Sequence, residues 1–144
     1  MAQQNTHAPW KFLDEFRGSM FQGEWPTLPE MFSISAKRFP ERRCFTAFSP
    51  ETIEFTYQEA YDVIMGVSSF LVKSGVKEGD RVAVTGKNSP EWAIAYLSVL
   101  YAGAVVVPLD YQLSPKVMDG LMKHADVHIA FVDEELFNEV GKDV

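Results

Sequence analysis

The chain holds a single cysteine, Cys44, so it cannot close an internal disulfide. That excludes the small disulfide-stapled scaffolds and fits a reducing compartment. The plain reading of Cys44 is a small buried residue, because a catalytic thiol wants a base beside it and the sequence names none. There is no run of lysine and arginine either. The chain carries 13 Lys and Arg against 20 Asp and Glu, a net charge of −7. Nucleic-acid binding needs clustered positive charge against phosphates, and this sequence has no cluster to offer. No apolar run approaches the roughly 20 residues that a membrane-spanning helix needs. The opening MAQQNTHAPW lacks the charged-then-apolar build of a signal peptide, so a cytoplasmic location is expected. Gly-x-Gly-x-x-Gly is absent, which removes a dinucleotide fingerprint. Gly86-Lys87 invites a Walker-loop reading, but position 81 is Arg where the first Gly is needed and position 88 is Asn where Ser or Thr is needed.

What is present is core material. The chain is 47% hydrophobic and 13% aromatic over 144 residues, enough for one domain. It is organised around Arg81–Asp110, RVAVTGKNSPEWAIAYLSVLYAGAVVVPLD. Arg81–Thr85 reads as a strand, broken by Gly86-Lys87-Asn88. Ser89 is an N-cap with Pro90 at the first helical position, where a missing N–H costs nothing. Trp92, Ala95, Tyr96, Val99 and Leu100 recur at helical spacing. Gly103 suits the left-handed residue that ends a helix. Ala104–Leu109 is wholly apolar, the pattern of a parallel strand buried on both faces. Strand, helix and strand make a right-handed βαβ unit.

The flanks follow the same grammar. Residues 1–27 form an arm and linker, in which Trp10, Leu13, Phe16 or Arg17, and Met20 mark a short amphipathic helix or a draped aromatic segment. Asp14 and Glu15 beside Lys11 and Arg17 speak against a basic membrane-binding face. Residues 28–144 form an α/β domain. Thr27 caps a helix over 28–39, with Glu30 at capping-box spacing. Strands over 42–48 and 52–55 make a hairpin around Ser49-Pro50-Glu51. Thr56 and Glu59 make a second capping box, opening a helix to about Ser74 with Tyr61, Ile64, Met65, Ser68 and Leu71 or Val72 on one face. After Asp110, Ser114 and Pro115 open a helix to about Ala125, 128–132 is a strand, and Asp133 or Glu134 starts a last helix. The alternation predicts a three-layer α/β/α fold with a mainly parallel sheet, preceded by a β-hairpin and an aromatic-rich N-terminal arm. Ligands of such sheets lie beyond the C-terminal strand ends, here Thr85–Asn88, Pro108–Gln112 and Val132–Glu134.

Asp110, closing an apolar strand, is where a phosphoacceptor of a receiver-like switch would stand. That chemistry also needs an acidic pair after an earlier strand to hold Mg²⁺, and Thr85-Gly86-Lys87 offers none. His124 and His128 have ligand spacing only on one continuous helix, and the predicted helix end falls between them. Asp133, Glu134, Glu135 and Glu139 read as a solvated helix face, with acid at the positive end of the dipole. Trp92 and Tyr96 read as core aromatics.

The ordered series Phe55-Thr56-Tyr57, Gly79-Asp80-Arg81-Val82, Asn88 to Trp92, and Ala102-Gly103-Ala104 through Pro108-Leu109 resembles the N-terminal region of the AMP-forming adenylating enzymes. These are the acyl-CoA synthetases, luciferases and peptide-synthetase adenylation domains. The closest flavour is a long-chain fatty acyl-CoA synthetase, and the resemblance runs from about Leu28 to Val132. It implies a parent ligase that uses ATP and Mg²⁺ to convert a carboxylic acid, a fatty acid by flavour, into an acyl-adenylate. The parent then passes the acyl group to CoA, working in the cytoplasm or peripherally at a membrane. The family's Ser/Thr/Gly-rich phosphate loop, Mg²⁺-binding acid and lid lysine have no counterpart in this stretch. The resemblance therefore implies a catalytically silent fragment that binds no cofactor itself, holds no catalytic or metal residue, and has the remainder of the ligase as partner. Asp110, Tyr111 and Gln112 align with the loop nearest the CoA passage, where some members offer an arginine to the CoA phosphates. Gln112 lacks the charge for a bidentate phosphate contact. Apolar surface left uncovered in a fragment predicts self-association, with strand exchange at a sheet edge as one route. A stand-alone interaction domain of the same fold is the alternative from another class.

Overall fold

A computed structural model describes residues 26–140. Helix α1 spans Leu28–Arg38, strands β1 and β2 span Arg43–Ala47 and Ile53–Thr56, and helix α2 spans Tyr57–Lys73. Strand β3, Arg81–Thr85, is followed by α3, Pro90–Tyr101, and β4, Val105–Leu109. Helix α4, Pro115–His124, strand β5, Val127–Phe131, and helix α5, Glu134–Val140, complete the order. The predicted arm helix over 10–21 lies outside the described residues.

The starts of the helices obey local chemistry. Thr27 and Thr56 each accept a backbone N–H three residues on, while Glu30 and Glu59 reach back to the cap N–H, giving two complete capping boxes. Ser89 Oγ accepts from Trp92 N at 3.1 Å. Ser114 has the extended backbone of a cap but makes no side-chain capping bond. Gly75 and Gly103 close α2 and α3 at φ +98° and +76°, a region costly for any residue with a Cβ.

The parallel sheet runs β4-β3-β5. This order corrects one expectation. Strand β4, the most apolar run in the sequence, is an edge strand, with Val105 48% exposed. Strand β3 is the one buried on both faces, with Val82, Ala83, Val84 and Thr85 all inaccessible. The chain steps from β3 to β4, then back across β3 to β5. With right-handed crossovers, α3 and α4 must lie on opposite faces. On one face Val82 and Val84 pack with Ala95, Val99 and Leu71. Met118 is the buried residue of α4.

The hairpin β1–β2 is antiparallel and carries a register shift around Cys44. It joins the body through α1 and the start of α2: Phe32 stacks on Phe45 at 6.1 Å and meets Tyr57 at 5.7 Å. Tyr101, at the end of α3, donates to Pro29 O and hydrogen-bonds Ser33 Oγ at 2.6 Å, tying α1 to the crossover helix. Burial pushes the Tyr101 phenol up. On α2 the inner face is Ala60, Ile64, Ser68 and Leu71, whereas Met65 and Val72, assigned to that face from the sequence, point outward. No described helix is long and apolar enough to cross a membrane.

Candidate functional site at the C-terminal strand ends

Three segments converge where β3, β4 and β5 end. Between β3 and β5 lies a cleft of about 130 Å³, floored by Val84 and Thr85 and walled by Trp92, Phe131 and Asp133. Asp133 organises it. Its Oδ2 accepts from Lys87 N at 3.0 Å, and its Oδ1 accepts from Leu136 N at 2.9 Å. One carboxylate thus caps α5 and holds the turn after β3. Gly86 is required there. Its φ is +145°, and a Cβ on it would stand 3.2 Å from Asp133 Oδ2. Lys87 Nζ pairs with Glu135 Oε2, which holds the ammonium pKa above its usual value. Both side chains are exposed, so the pair adds little stability. Thr85 Oγ1 is buried without a hydrogen-bond partner among the described residues. Trp92 stacks on Tyr96 at 5.3 Å.

This arrangement gives a physical reason for setting the phosphate-loop reading aside. The Lys87 N–H that would face an anion already faces a carboxylate, and the Lys87 ammonium has Glu135. Phosphate brought here would meet two negative groups. Asp133 and Glu135 are therefore not simply a solvated helix face, as their spacing suggested. Sequence reasoning missed the tie between Asp133 and the Gly86-Lys87 turn, 46 residues away. Only the N-cap half of Asp133's role was readable, from its place just before a helix.

Asp110, Tyr111 and Gln112 sit together at the end of β4, all exposed. Asp110 Oδ1 accepts from Gln112 N at 2.9 Å, closing a local Asx turn, and Gln112 Nε2 reaches Tyr111 Oη at 3.4 Å. The strand that carries this loop pairs with β3 up to Thr85 and Leu109, and none of the three residues lines the cleft between β3 and β5. His124 ends α4, while His128 lies in β5 beyond a turn with Asp126 at φ +55°; His128 faces Asp126 at 3.5 Å. Among the described residues no group of three His, Cys, Asp or Glu could hold a metal ion. Burial, the main cause, raises the Cys44 pKa and keeps the thiol protonated; its Sγ–H donates to Thr56 O at 3.5 Å.

A turn, a polar loop and an apolar cleft thus lie together at the carboxyl end of the parallel sheet of an α/β fold. The AMP-binding enzyme model matches residues 32–144, and the chain belongs to that family. It is 35% identical over 130 residues to 4-hydroxybutyrate–CoA ligase 2 of Metallosphaera sedula, covering 89% of this chain and 23% of that protein. It is 31% identical over 119 residues to long chain acyl-CoA synthetase 4 of Arabidopsis thaliana, covering 78% of this chain and 18% of the relative. The chain thus spans about a fifth of the length of these relatives. Among solved structures, the N-terminal domain of FACL13 from Mycobacterium tuberculosis superimposes with a TM-score of 0.75 at 19% identity, over 82% of this chain and 29% of that one. The Klebsiella oxytoca NpsA N-terminal subdomain does so at 0.65 and 24%, over 76% and 28%. At these identities the superpositions show the fold, which is that of an N-terminal subdomain.

Proposed function

We propose that this chain is the N-terminal part of an AMP-forming acid–CoA ligase acting on a fatty acid. The whole enzyme would use ATP and Mg²⁺ to make an acyl-adenylate and release pyrophosphate, then transfer the acyl group to the CoA thiol. The observation that carries the reading is the 35% and 31% identity with a CoA ligase and an acyl-CoA synthetase over 89% and 78% of the chain. Among the described residues no group of three His, Cys, Asp or Glu could hold a metal ion, and the Gly86-Lys87 turn is closed by Asp133. No reaction step is therefore assigned to them. In this reading the chain supplies fold and one wall of a substrate passage, and Asp110, Tyr111 and Gln112 border the CoA side of it. The partner of this surface is the remainder of the ligase. The enzyme works in the cytoplasm or at the face of a membrane, where its acids partition.

The test is acid-dependent ATP–pyrophosphate exchange. The 144-residue chain is expected to show none, and the protein at the length of its relatives is expected to show exchange with long-chain acids. Exchange by the short chain alone would overturn the division of labour; a full-length protein inert towards every acid tested would overturn the activity. In that full-length enzyme, Gln112→Arg is expected to lower the KM for CoA several-fold and leave exchange unchanged. An unchanged KM would remove the loop from the CoA passage.

A further inference from the structure

Helix α2 carries an outer face that no other element among the described residues covers. Between Asp62 and Lys73 the sequence is VIMGVSSFLV, ten residues without a charge. Apolar side chains in this stretch therefore fall outside the buried stripe as well as within it, and exposed apolar surface favours being covered. The inner side is covered. The outer side leaves Val63 41%, Phe70 65% and Val72 53% exposed, with Met65 beside them. Gly66 lies opposite the buried Ile64–Ser68 side, and a Cβ built on it meets nothing within 4 Å.

We propose that this face is the contact surface for a second copy of the chain, with the two α2 helices packed antiparallel about a twofold axis at the level of Val67 and Ser68. The face is self-complementary under that operation. Asp62 and Lys73 stand eleven residues apart, about three helical turns, and so lie on one line along the helix. Antiparallel pairing brings Asp62 of each copy to Lys73 of the other. Gly66 then faces Ser69 across the axis, where two small residues let the backbones approach. Phe70 packs beside Val63 of the other copy on one flank, and Met65 beside Val72 on the other. A parallel arrangement would set like charges together at both ends, so the charge pattern selects the antiparallel one. Each residue meets a partner and is met in turn, as an isologous interface requires. A single helix pair sits at the small end of specific interfaces, so association in about the micromolar range is expected.

Sedimentation of the 144-residue chain tests this. The expected result is a monomer–dimer equilibrium that Phe70→Glu weakens at least tenfold. Asp62→Lys alone is expected to weaken it, and Asp62→Lys with Lys73→Asp to restore it. These positions are exposed, and circular dichroism checks that each variant keeps its fold. A monomer at all concentrations would overturn the proposal. So would a dimer indifferent to Phe70→Glu and to the charge exchange, which would place the contact at a sheet edge instead. If removing residues 1–25 converts a monomer into a dimer, the arm covers this face and the proposal fails.

Discussion

Asp133 shows how one side chain can join two segments distant in sequence. It caps α5, holds Lys87 N and sets the space that Gly86 must leave free. Asp133→Ala removes a helix cap and is expected to cost about 1–2 kcal/mol in urea unfolding. An unchanged midpoint would mean that solvent serves both N–H groups equally well. Glu59 gives a pH-dependent counterpart. Hydrogen bonds from the Thr56 backbone N–H, and then from its hydroxyl, lower the Glu59 pKa in the folded state. A lowered folded pKa means that the carboxylate stabilises the fold above the ordinary value of 4.5, and that this contribution is lost as pH falls through the folded value. Glu59→Gln should therefore be less stable than the parent at pH 7, with the gap shrinking below about pH 4.5. A gap independent of pH would assign the effect to shape rather than charge.

At the scale of elements, the two helices flanking the sheet are anchored differently. Helix α3 buries Ile94, Ala95, Ser98 and Val99 and is pinned at its end by Tyr101. Helix α4 buries one side chain, Met118. Truncating that anchor should cost about 2–5 kcal/mol, the range for large-to-small core changes. Because α4 has no other buried residue, Met118→Ala is expected to speed hydrogen exchange in α4 first and leave α3 protected. Uniform loss of protection would show the two layers to be one cooperative unit.

The whole molecule has a closed centre and open borders. The core lies between β3, α2 and α3, while both edges of the sheet and the outer face of α2 are unpaired within the described residues. Parallel sheets are normally covered on both faces, and open edges invite further strands. Relatives four to five times longer have the chain length to cover the sheet at its edges. The prediction at this scale is the activity contrast already stated, silent for the short chain and active for the full-length enzyme. The dimer belongs here too, because it concerns a surface and not a site.

Much of this was legible from the sequence because it is local. The capping boxes at Thr27–Glu30 and Thr56–Glu59, the Ser89-Pro90 start and the stops at Gly75 and Gly103 each depend on residues within one turn, and each is found as read. The alternation of helix and strand follows from hydrophobic periodicity in the same way. The strand ends expected to form the site do converge, since parallel βαβ units leave all their carboxyl ends on one side. Other features depended on distance. Five apolar residues in β4 look more buried than Arg81–Thr85, yet the direction of two crossovers makes β3 central and β4 an edge. Val72 and Met65 satisfy a helical stripe as well as Ala60 does, and only the position of α3 and the sheet decides which stripe is inside. The ties of Asp133 to the Gly86 turn and of Tyr101 to Pro29 join residues 46 and 72 positions apart, beyond any local signal. Local backbone chemistry thus determined the elements and their limits, while chain crossing and long-range contact decided which faces are core, which are site and which remain open to a partner.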